Sequence, residues 1–364
     1  MKNLHMFSVI DEDISSIEKI AQNYKKHKNI LLFGTGGSSL GAKTLVNFKA
    51  KHDGIHSKIH FIENIDSLSF LNKVNLCNQD NTGIIVISKS GMTTETIMLF
   101  LTLFQMWPDF NYKNNAVIVT ENTTKANILR TIATEKNIKV IDHPSDIGGR
   151  FSVFSVVGML PALIAGVDIS SFLKGAKEAL SINISIGDIS DAIRSGANHH
   201  VIFSYSDFLS DLGKWVVQLI SESLGKRDDF GITPLSATGT IDQHSMLQLF
   251  LGGPNNKFYT FITQKKNAES ERIRVANYLD QHNINELMQC HQKATIEIVR
   301  KKAYVREFSF DQIDEKALGF LMATFMIETI AIANEFNINP FDQPAVEESK
   351  KLVEKYLNEY HTDR

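Results

Sequence analysis

The chain has 364 residues, which at roughly 150 residues per domain indicates about two domains. Its net charge of −3 and sequence pI of about 6.5 argue against a broad nucleic-acid binder, which needs a basic surface. The two cysteines, Cys77 and Cys290, exclude a disulfide scaffold and favour a reducing compartment. The apolar stretches 151–167 and 318–333 are short for a membrane span, and Glu328 interrupts the second. Residues 1–20 also lack a secretory pattern, so we expect a soluble cytoplasmic protein.

Short apolar runs alternate with helical patterns along the first half of the chain. Strands are predicted at 29–34, 59–63, 83–88, 116–120 and 139–142, with helices at 39–49, 67–76, 93–106 and 124–136. The runs are continuously apolar rather than alternating, so both faces of each strand should be buried. This pattern predicts a doubly wound parallel sheet with helices on each side.

A similar pattern starts again in the second half. After a helical connection at 170–196, strands are predicted at 201–205, 231–235, 258–263 and 303–308, and helices at 211–224, 243–250, 284–300, 315–336 and 346–360. We therefore predict two similar α/β domains. The predicted limits are 1–28 for an N-terminal helical segment, 29–168 for the first domain, 169–196 for the connection, 197–336 for the second domain, and 337–364 for a C-terminal turn and helix.

The first strand ends in a glycine-rich turn, Gly34–Gly41, which could approach a ligand closely. A P-loop needs lysine directly after its second glycine, but Ala42 stands there, so that interpretation fails. The dinucleotide fingerprint needs glycine where Ser39 stands, although Glu63 could serve as the acid that binds the ribose. From this segment alone, two interpretations stay open: a dinucleotide-binding turn and a purely structural turn.

The third strand ends in a hydroxyl-rich loop, Ser88–Thr96, which opens a helix. Serine and threonine hydroxyls, backbone N–H groups and the positive end of a helix dipole all suit a phosphate. Ordinary N-capping would need one hydroxyl and Glu95. The loop has more hydroxyls than capping requires, so it predicts anion binding.

Three later segments carry polar side chains for which a functional and a structural role are both open. Arg150 follows two glycines and precedes an apolar helix, so its guanidinium is either held at a fixed place or paired at the surface. Gln218 and Glu222 are four residues apart and share one helix face. His244 follows Asp242 and Gln243 and could be held in one tautomer for proton transfer, although a lone histidine is usually structural.

Taken in order, these segments resemble the glucose-6-phosphate isomerase family. The matching segments are Gly36–Ser38, Ser88–Thr96, Gly148–Ser152, Glu222–Lys226, Gly239–His244 and Asp342–Lys350. Each is moderately specific, but together they are highly specific. The resemblance implies two sugar isomerase (SIS) domains, each a five-stranded flavodoxin-like sandwich. It also implies interconversion of glucose 6-phosphate and fructose 6-phosphate, with no metal or cofactor.

The resemblance also implies a role for each matching residue. Glu222 is the expected base, Arg150 the cation that stabilises the enediolate, and His244 and Lys350 the residues that open the sugar ring. The expected residues for substrate and phosphate binding are Gly37, Ser38, Ser88, Lys89, Ser90, Thr93, Gln218 and Gln343. In the family the counterpart of His244 reaches into the neighbouring subunit, so a homodimer with shared sites is expected.

Three positions depart from the family's pattern: Thr35, Gly91 and Ala345. None removes a group that does chemistry, but they affect the shape of the phosphate loop and of the C-terminal turn. Two alternatives stay open. One is another SIS-type enzyme that acts on a mannose phosphate or an aminosugar phosphate. The other is a non-catalytic phosphosugar-binding protein. In every case the expected partner is a small phosphosugar, with no nucleic acid and no membrane.

Overall fold

The computed structural model describes residues 4–55, 57–265 and 268–362, which form two parallel sheets covered by helices. The strands are β1 Asn29–Phe33, β2 Ile59–Ile62, β3 Thr82–Ile87, β4 Ala116–Thr120, β5 Lys139–Asp142, β6 His199–Ser204, β7 Thr233–Thr238, β8 Lys257–Gln264 and β9 Val305–Phe310. The α-helices are α1 His5–Ser8, α2 Ser15–Tyr24, α3 Leu40–His52, α4 Ser67–Asn75, α5 Thr94–Met106, α6 Tyr112–Asn115, α7 Ile128–Lys136, α8 Val156–Ala165, α9 Ile169–Ser181, α10 Gly187–Arg194, α11 Ser210–Leu224, α12 Leu247–Gly252, α13 Ile284–Arg300, α14 Glu315–Glu335 and α15 Glu347–Thr362. Short 3₁₀ turns join several of them, including Gly36–Ser38, Gly149–Phe154 and Ile241–Gln243.

The first sheet has five parallel strands in the order β2-β1-β3-β4-β5. Its central strands β3 and β4 are buried along their whole length, as the continuous apolar runs predict. The strand order reverses between β1 and β3, and in such sheets ligands bind outside the carboxyl ends at the reversal. The glycine-rich turn after β1 and the hydroxyl-rich loop after β3 both lie at this edge.

The second sheet is also parallel, with the order β7-β6-β8-β9. The expectation of five strands here is wrong for the described residues, which form a four-stranded sheet. The segment after α14, 338–344, is where a fifth strand would follow. It contains Pro340 and Pro344, which have no N–H to donate to a neighbouring strand. The carbonyls of residues 340 and 342 instead accept hydrogen bonds from Arg150.

One hydrophobic core joins the two halves of the chain. It contains Phe48 of α3 and Phe154 from the first half, and Trp215 of α11 and Met322 of α14 from the second. Helix α14 is long and apolar enough to span a membrane, but 83% of its most apolar window is buried inside the protein. Both long apolar stretches of the sequence are therefore core segments, as predicted, with a 3₁₀ turn starting the first one.

Helices α9 and α14 cross very closely, and glycines make this possible. A Cβ atom on Gly175 would lie 1.8 Å from the carbonyl oxygen of Lys316, and one on Gly319 would lie 1.9 Å from that of Phe172. Any larger residue would force the helices apart. Helix α14 in turn packs on α11, so this crossing helps to position α11 and the Gln218 and Glu222 that it carries.

Candidate active site

Arg150 is the centre of the site. The 3₁₀ turn before α8 places it in the interior, where it is 3% exposed. Its five N–H donors, the full set of a guanidinium, are all engaged. The acceptors are Ser223 Oγ (2.8 Å), Glu222 Oε2 (3.0 Å), Gln343 Oε1 (2.7 Å), the carbonyl of Pro340 and the carbonyl of Asp342 (3.0 Å). Burial lowers the pKa of Arg150, and the charge of Glu222 opposes that effect.

Both oxygens of the Glu222 carboxylate are held. Oε2 accepts from Arg150, and Oε1 accepts from the Gln218 Nε2 atom at 2.8 Å. Gln218 lies one helical turn earlier on α11, which confirms that the two side chains share a face. The Glu222 side chain is 33% exposed, so a ligand can reach it. The site therefore presents a fixed carboxylate beside a buried cation.

The glycine-rich turn after β1 closes one side of the site. Gly36 has a φ of +56°, and a Cβ there would lie 3.0 Å from Nε2 of Gln218. Gly37 lies against the backbone of Gly149, and a Cβ there would be 2.3 Å from that residue's carbonyl carbon. Only glycine allows this approach, so Gly37 meets the Arg150 turn through its backbone. The hydroxyl of Ser152 also donates to the carbonyl of Gly37 at 3.3 Å.

The dinucleotide interpretation loses its acidic residue in the structure. Glu63 accepts a hydrogen bond from the Ser39 hydroxyl at 2.7 Å and pairs with Lys43. This pairing ties the glycine-rich turn to the end of β2 and explains why serine stands at position 39. Among the described residues, no group of three or more His, Cys, Asp or Glu side chains forms a possible metal site.

The hydroxyl-rich loop after β3 forms the predicted turn at the start of α5. The hydroxyls of Ser88 and Thr93 are 2.8 Å apart, so the two ends of the loop are joined. Ser90 is exposed, and its Oγ accepts from the N–H of Met92 at 3.2 Å. Lys89 lies between them and is partly buried. The loop thus places the hydroxyls of Ser88 and Thr93 in contact and leaves Ser90 exposed beside them.

His244 and Lys350 are not joined to the Arg150 cluster in the single chain. His244 is exposed at the end of a 3₁₀ turn, and its ring makes no hydrogen bond within the part of the chain that the structure describes. Asp242 does not hold it: its carboxylate accepts from Thr238 N at 2.7 Å and from Ser245 Oγ at 2.8 Å. Lys350 lies on α15 and pairs with Glu347 at 2.6 Å.

The C-terminal turn brings Gln343 to Arg150, and sequence reasoning missed what holds this turn. Lys226 donates to the carbonyl and, at 3.1 Å, to the carboxylate of Asp342. This contact keeps the pKa of Asp342 below its usual value. Ser223, the other missed residue, is fully buried and accepts from Arg150 Nε. Both belong to the Glu222–Lys226 motif, which was the available signal.

This chain is similar to known proteins in sequence and in fold. A family model described as phosphoglucose isomerase matches residues 2–364. A glucose-6-phosphate isomerase of Rubrobacter xylanophilus is 32% identical over 353 residues, which cover 88% of this chain and 80% of the relative. One from Methanocaldococcus jannaschii is 32% identical over 370 residues, with 96% and 88% covered. A crystal structure of a hypothetical protein from Thermus thermophilus superposes with a TM-score of 0.85 at 28% identity, covering 98% of this chain and 91% of the other.

Proposed function

Because this chain belongs to the phosphoglucose isomerase family, we propose that it interconverts glucose 6-phosphate and fructose 6-phosphate. The observation that carries this proposal is the Glu222 carboxylate, held by Gln218 on one oxygen and by the buried Arg150 on the other. An aldose–ketose isomerase must move a proton between C2 and C1 of an open-chain sugar. A fixed carboxylate beside a fixed cation is suited to that step.

Glu222 is the proposed base. It takes the proton from C2 of the open-chain aldose, which gives an enediolate, and returns that proton to C1. The hydroxyl proton of O2 is transferred to O1 in the same conversion, which leaves the ketose. Gln218 and Arg150 fix the direction of its oxygens, so little reorganisation is needed when the substrate binds. Because the five N–H donors of Arg150 are already bonded within the protein, its guanidinium would stabilise the enediolate through its positive charge rather than through a direct hydrogen bond.

The phosphate of the substrate is proposed to bind in the loop 88–93. The hydroxyls of Ser88, Ser90 and Thr93 and the backbone at Lys89 supply donors, and the start of α5 adds the positive end of its dipole. Gly37, Ser38 and Gln343 complete the proposed sugar site on the opposite side. The phosphate does not react, so binding it supplies free energy that orients the reacting carbons.

We propose a homodimer in which His244 acts in the neighbouring site. The support is that His244 is exposed and unbonded in the described part of its own chain, while the Arg150 cluster is otherwise assembled. Together with Lys350, it would donate and accept the protons of ring opening. The proposed location is the cytoplasm, consistent with two free cysteines and with the burial of α14.

A coupled assay tests the function directly. Purified protein with EDTA present should convert fructose 6-phosphate to glucose 6-phosphate, measured through NADP⁺ reduction by added glucose-6-phosphate dehydrogenase. Mannose 6-phosphate, followed by formation of fructose 6-phosphate, tests the alternative SIS-type substrate. The proposal would be contradicted if no glucose 6-phosphate formed from fructose 6-phosphate, or if mannose 6-phosphate were converted faster than fructose 6-phosphate.

A further inference from the structure

The phosphate loop, 88–93, is hydrogen-bonded to the segment that joins β4 to α7. The proposed function assigns no role to that segment. The Lys89 carbonyl accepts from the Glu121 N–H at 2.9 Å and from the Thr120 hydroxyl at 3.1 Å. The Gly91 carbonyl accepts from the Leu129 N–H at 3.3 Å, in the first turn of α7. Two carbonyls of the turn are thus bound to the same neighbouring segment.

Asn127 organises this contact. Its side chain is 8% exposed, and its Nδ2 atom donates to the Thr120 hydroxyl at 2.9 Å. The Thr120 hydroxyl therefore has its oxygen occupied by Asn127, and its hydrogen is directed to the Lys89 carbonyl. The Oδ1 atom of Asn127 accepts from the Arg130 N–H at 3.0 Å and so caps α7.

Gly91 and Asn127 are a matched pair. Gly91 has a φ of +64°, and a Cβ on it would lie 1.8 Å from Oδ1 of Asn127. The amide side chain of Asn127 therefore fills the space that a side chain at position 91 would take. This contact gives a structural reason for glycine at position 91, one of the three positions that depart from the family's pattern.

The bound carbonyls determine where the loop's N–H groups point. In a planar trans peptide the C=O and the N–H of one unit point in opposite directions. With the Lys89 carbonyl directed at Thr120 and Glu121, the N–H of Ser90 must point away from them. Within the residues that the structure describes, this N–H has no acceptor. The same contact keeps the Lys89 carbonyl away from the side to which the Ser90 N–H points. This matters because a carbonyl oxygen on that side would repel an anion.

We propose that Asn127 and Thr120 are positioning residues, which fix the peptide between Lys89 and Ser90 so that the Ser90 N–H faces the substrate phosphate. This inference rests on the proposed role of the 88–93 loop. Neither side chain touches the phosphate. They act through the loop backbone, so they tune phosphate affinity and leave the proton transfer at Glu222 unchanged.

Thr120→Val and Thr120→Ser provide the test, because valine keeps the shape of threonine while serine keeps its hydroxyl. Since one hydrogen bond contributes roughly a fivefold change in an equilibrium, Thr120→Val should raise the KM for fructose 6-phosphate about fivefold. It should raise the Kd for inorganic phosphate, measured by calorimetry, by the same factor and leave kcat within about twofold. Thr120→Ser should restore both constants.

Asn127→Ser gives an independent arm, since serine still caps α7 but cannot reach Thr120 as the amide does. It should show the same rise in KM and Kd. Asn283→Ser, which makes the same exchange at the cap of α13, should change neither constant. If Thr120→Val does not fold, Asn127→Ser decides the question.

Three outcomes separate the hypotheses. Unchanged phosphate affinity in a folded Thr120→Val or Asn127→Ser protein overturns the positioning role. Equal losses in Thr120→Ser and Thr120→Val also overturn it. If the variants change phosphate affinity as expected but the wild-type protein isomerises no sugar phosphate, the proposed function is overturned. The positioning role of Asn127 and Thr120 then still stands.

Discussion

At the scale of single residues, Arg150 shows what a sequence motif leaves undetermined. The Gly-Gly-Arg pattern leaves open whether the arginine is held at a fixed place or paired at the surface, and the structure shows that it is buried and held in place. Its partners lie 72 to 193 positions away along the chain, and no local pattern indicates that all five donors are used within the protein. A guanidinium so fully bonded holds the side chains of Glu222 and Gln343 in place.

Glu222→Gln separates the base from its supports. A glutamine oxygen can still accept from Arg150, so the fold should persist, but it cannot take a proton. We expect kcat to fall by about 10²–10⁴-fold or more, while the Kd for inorganic phosphate stays within roughly tenfold. Glu178→Gln, which changes an exposed carboxylate on α9 paired with Lys316, is the control. A Glu222→Gln variant that kept more than about a tenth of wild-type turnover would exclude Glu222 as the base.

His143 should make the protein less stable in acid. Burial lowers the pKa of His143 to about 4, and the nearby charge of Lys89 lowers it as well. Between about pH 6.5 and pH 4 the unfolded chain takes up a proton that the folded protein does not. The free energy of unfolding therefore decreases as the pH is lowered through this range. Urea unfolding at pH 7.5 and pH 5 should show a smaller drop in His143→Gln than in wild type. An equal drop would mean that His143 titrates normally.

At the scale of elements, the sequence predicts most helices and strands because their apolar patterns are long and consistent. Strands β1 to β5 match to within about two residues. Helix α7 begins at Ile128 rather than near 124, because Asn127 is its cap and no periodic signal marks the cap. Within the described part of the chain the second sheet has four strands rather than the expected five. The carbonyls of residues 340 and 342 bind Arg150 instead, a contact that the pattern of residues 337–344 alone does not reveal.

The crossing of α9 and α14 gives a prediction at this scale. Gly319→Ala would place a Cβ 1.9 Å from the carbonyl oxygen of Phe172, so one helix must shift. We expect a loss of about 1–3 kcal/mol in the free energy of unfolding, measured by urea denaturation. Gly187→Ala in α10, whose nearest neighbour would be the Ser185 side chain at 3.7 Å, should be neutral or slightly stabilising. Equal stability of the two variants would show that the helices separate without cost.

At the scale of the whole molecule, the single chain leaves His244 and Lys350 apart from the Arg150 cluster. The fold and the Arg150 cluster could be predicted in outline from motifs, but the positions of His244 and Lys350 relative to them could not. Helix α15, which carries Lys350, is exposed along residues 347–360. Among the described residues, the ring of His244 has no hydrogen-bond partner and Lys350 pairs with Glu347 on its own helix, so no local pattern indicates where these two side chains lie relative to Arg150.

Mixing two inactive variants tests the shared site. His244→Ala and Glu222→Gln homodimers should each be inactive, but subunit exchange creates mixed dimers in which one site keeps both groups and the other has lost both. Random exchange makes half of the dimers mixed, so recovered activity should approach about a quarter of wild type. The measurement is the coupled assay after exchange has been shown by mass spectrometry of tagged chains. No recovery would place His244 in its own chain's site.

The five bonds of Arg150 also limit how this chain could be recombined with its relatives. The arginine comes from the first half, its carboxylate from α11, and its carbonyl partners from 340 and 342 near the C-terminus. In a chimera that took the first half from one parent and the rest from another, the buried arginine and its hydrogen-bond acceptors would come from different proteins. A buried charge that loses its partner is strongly destabilising. Crossovers within 150–343 should therefore be tolerated only where both parents present the same acceptors in the same geometry. The two sheets look like separate modules, but the bonds of Arg150 make the two halves of the chain a single unit for protein engineering.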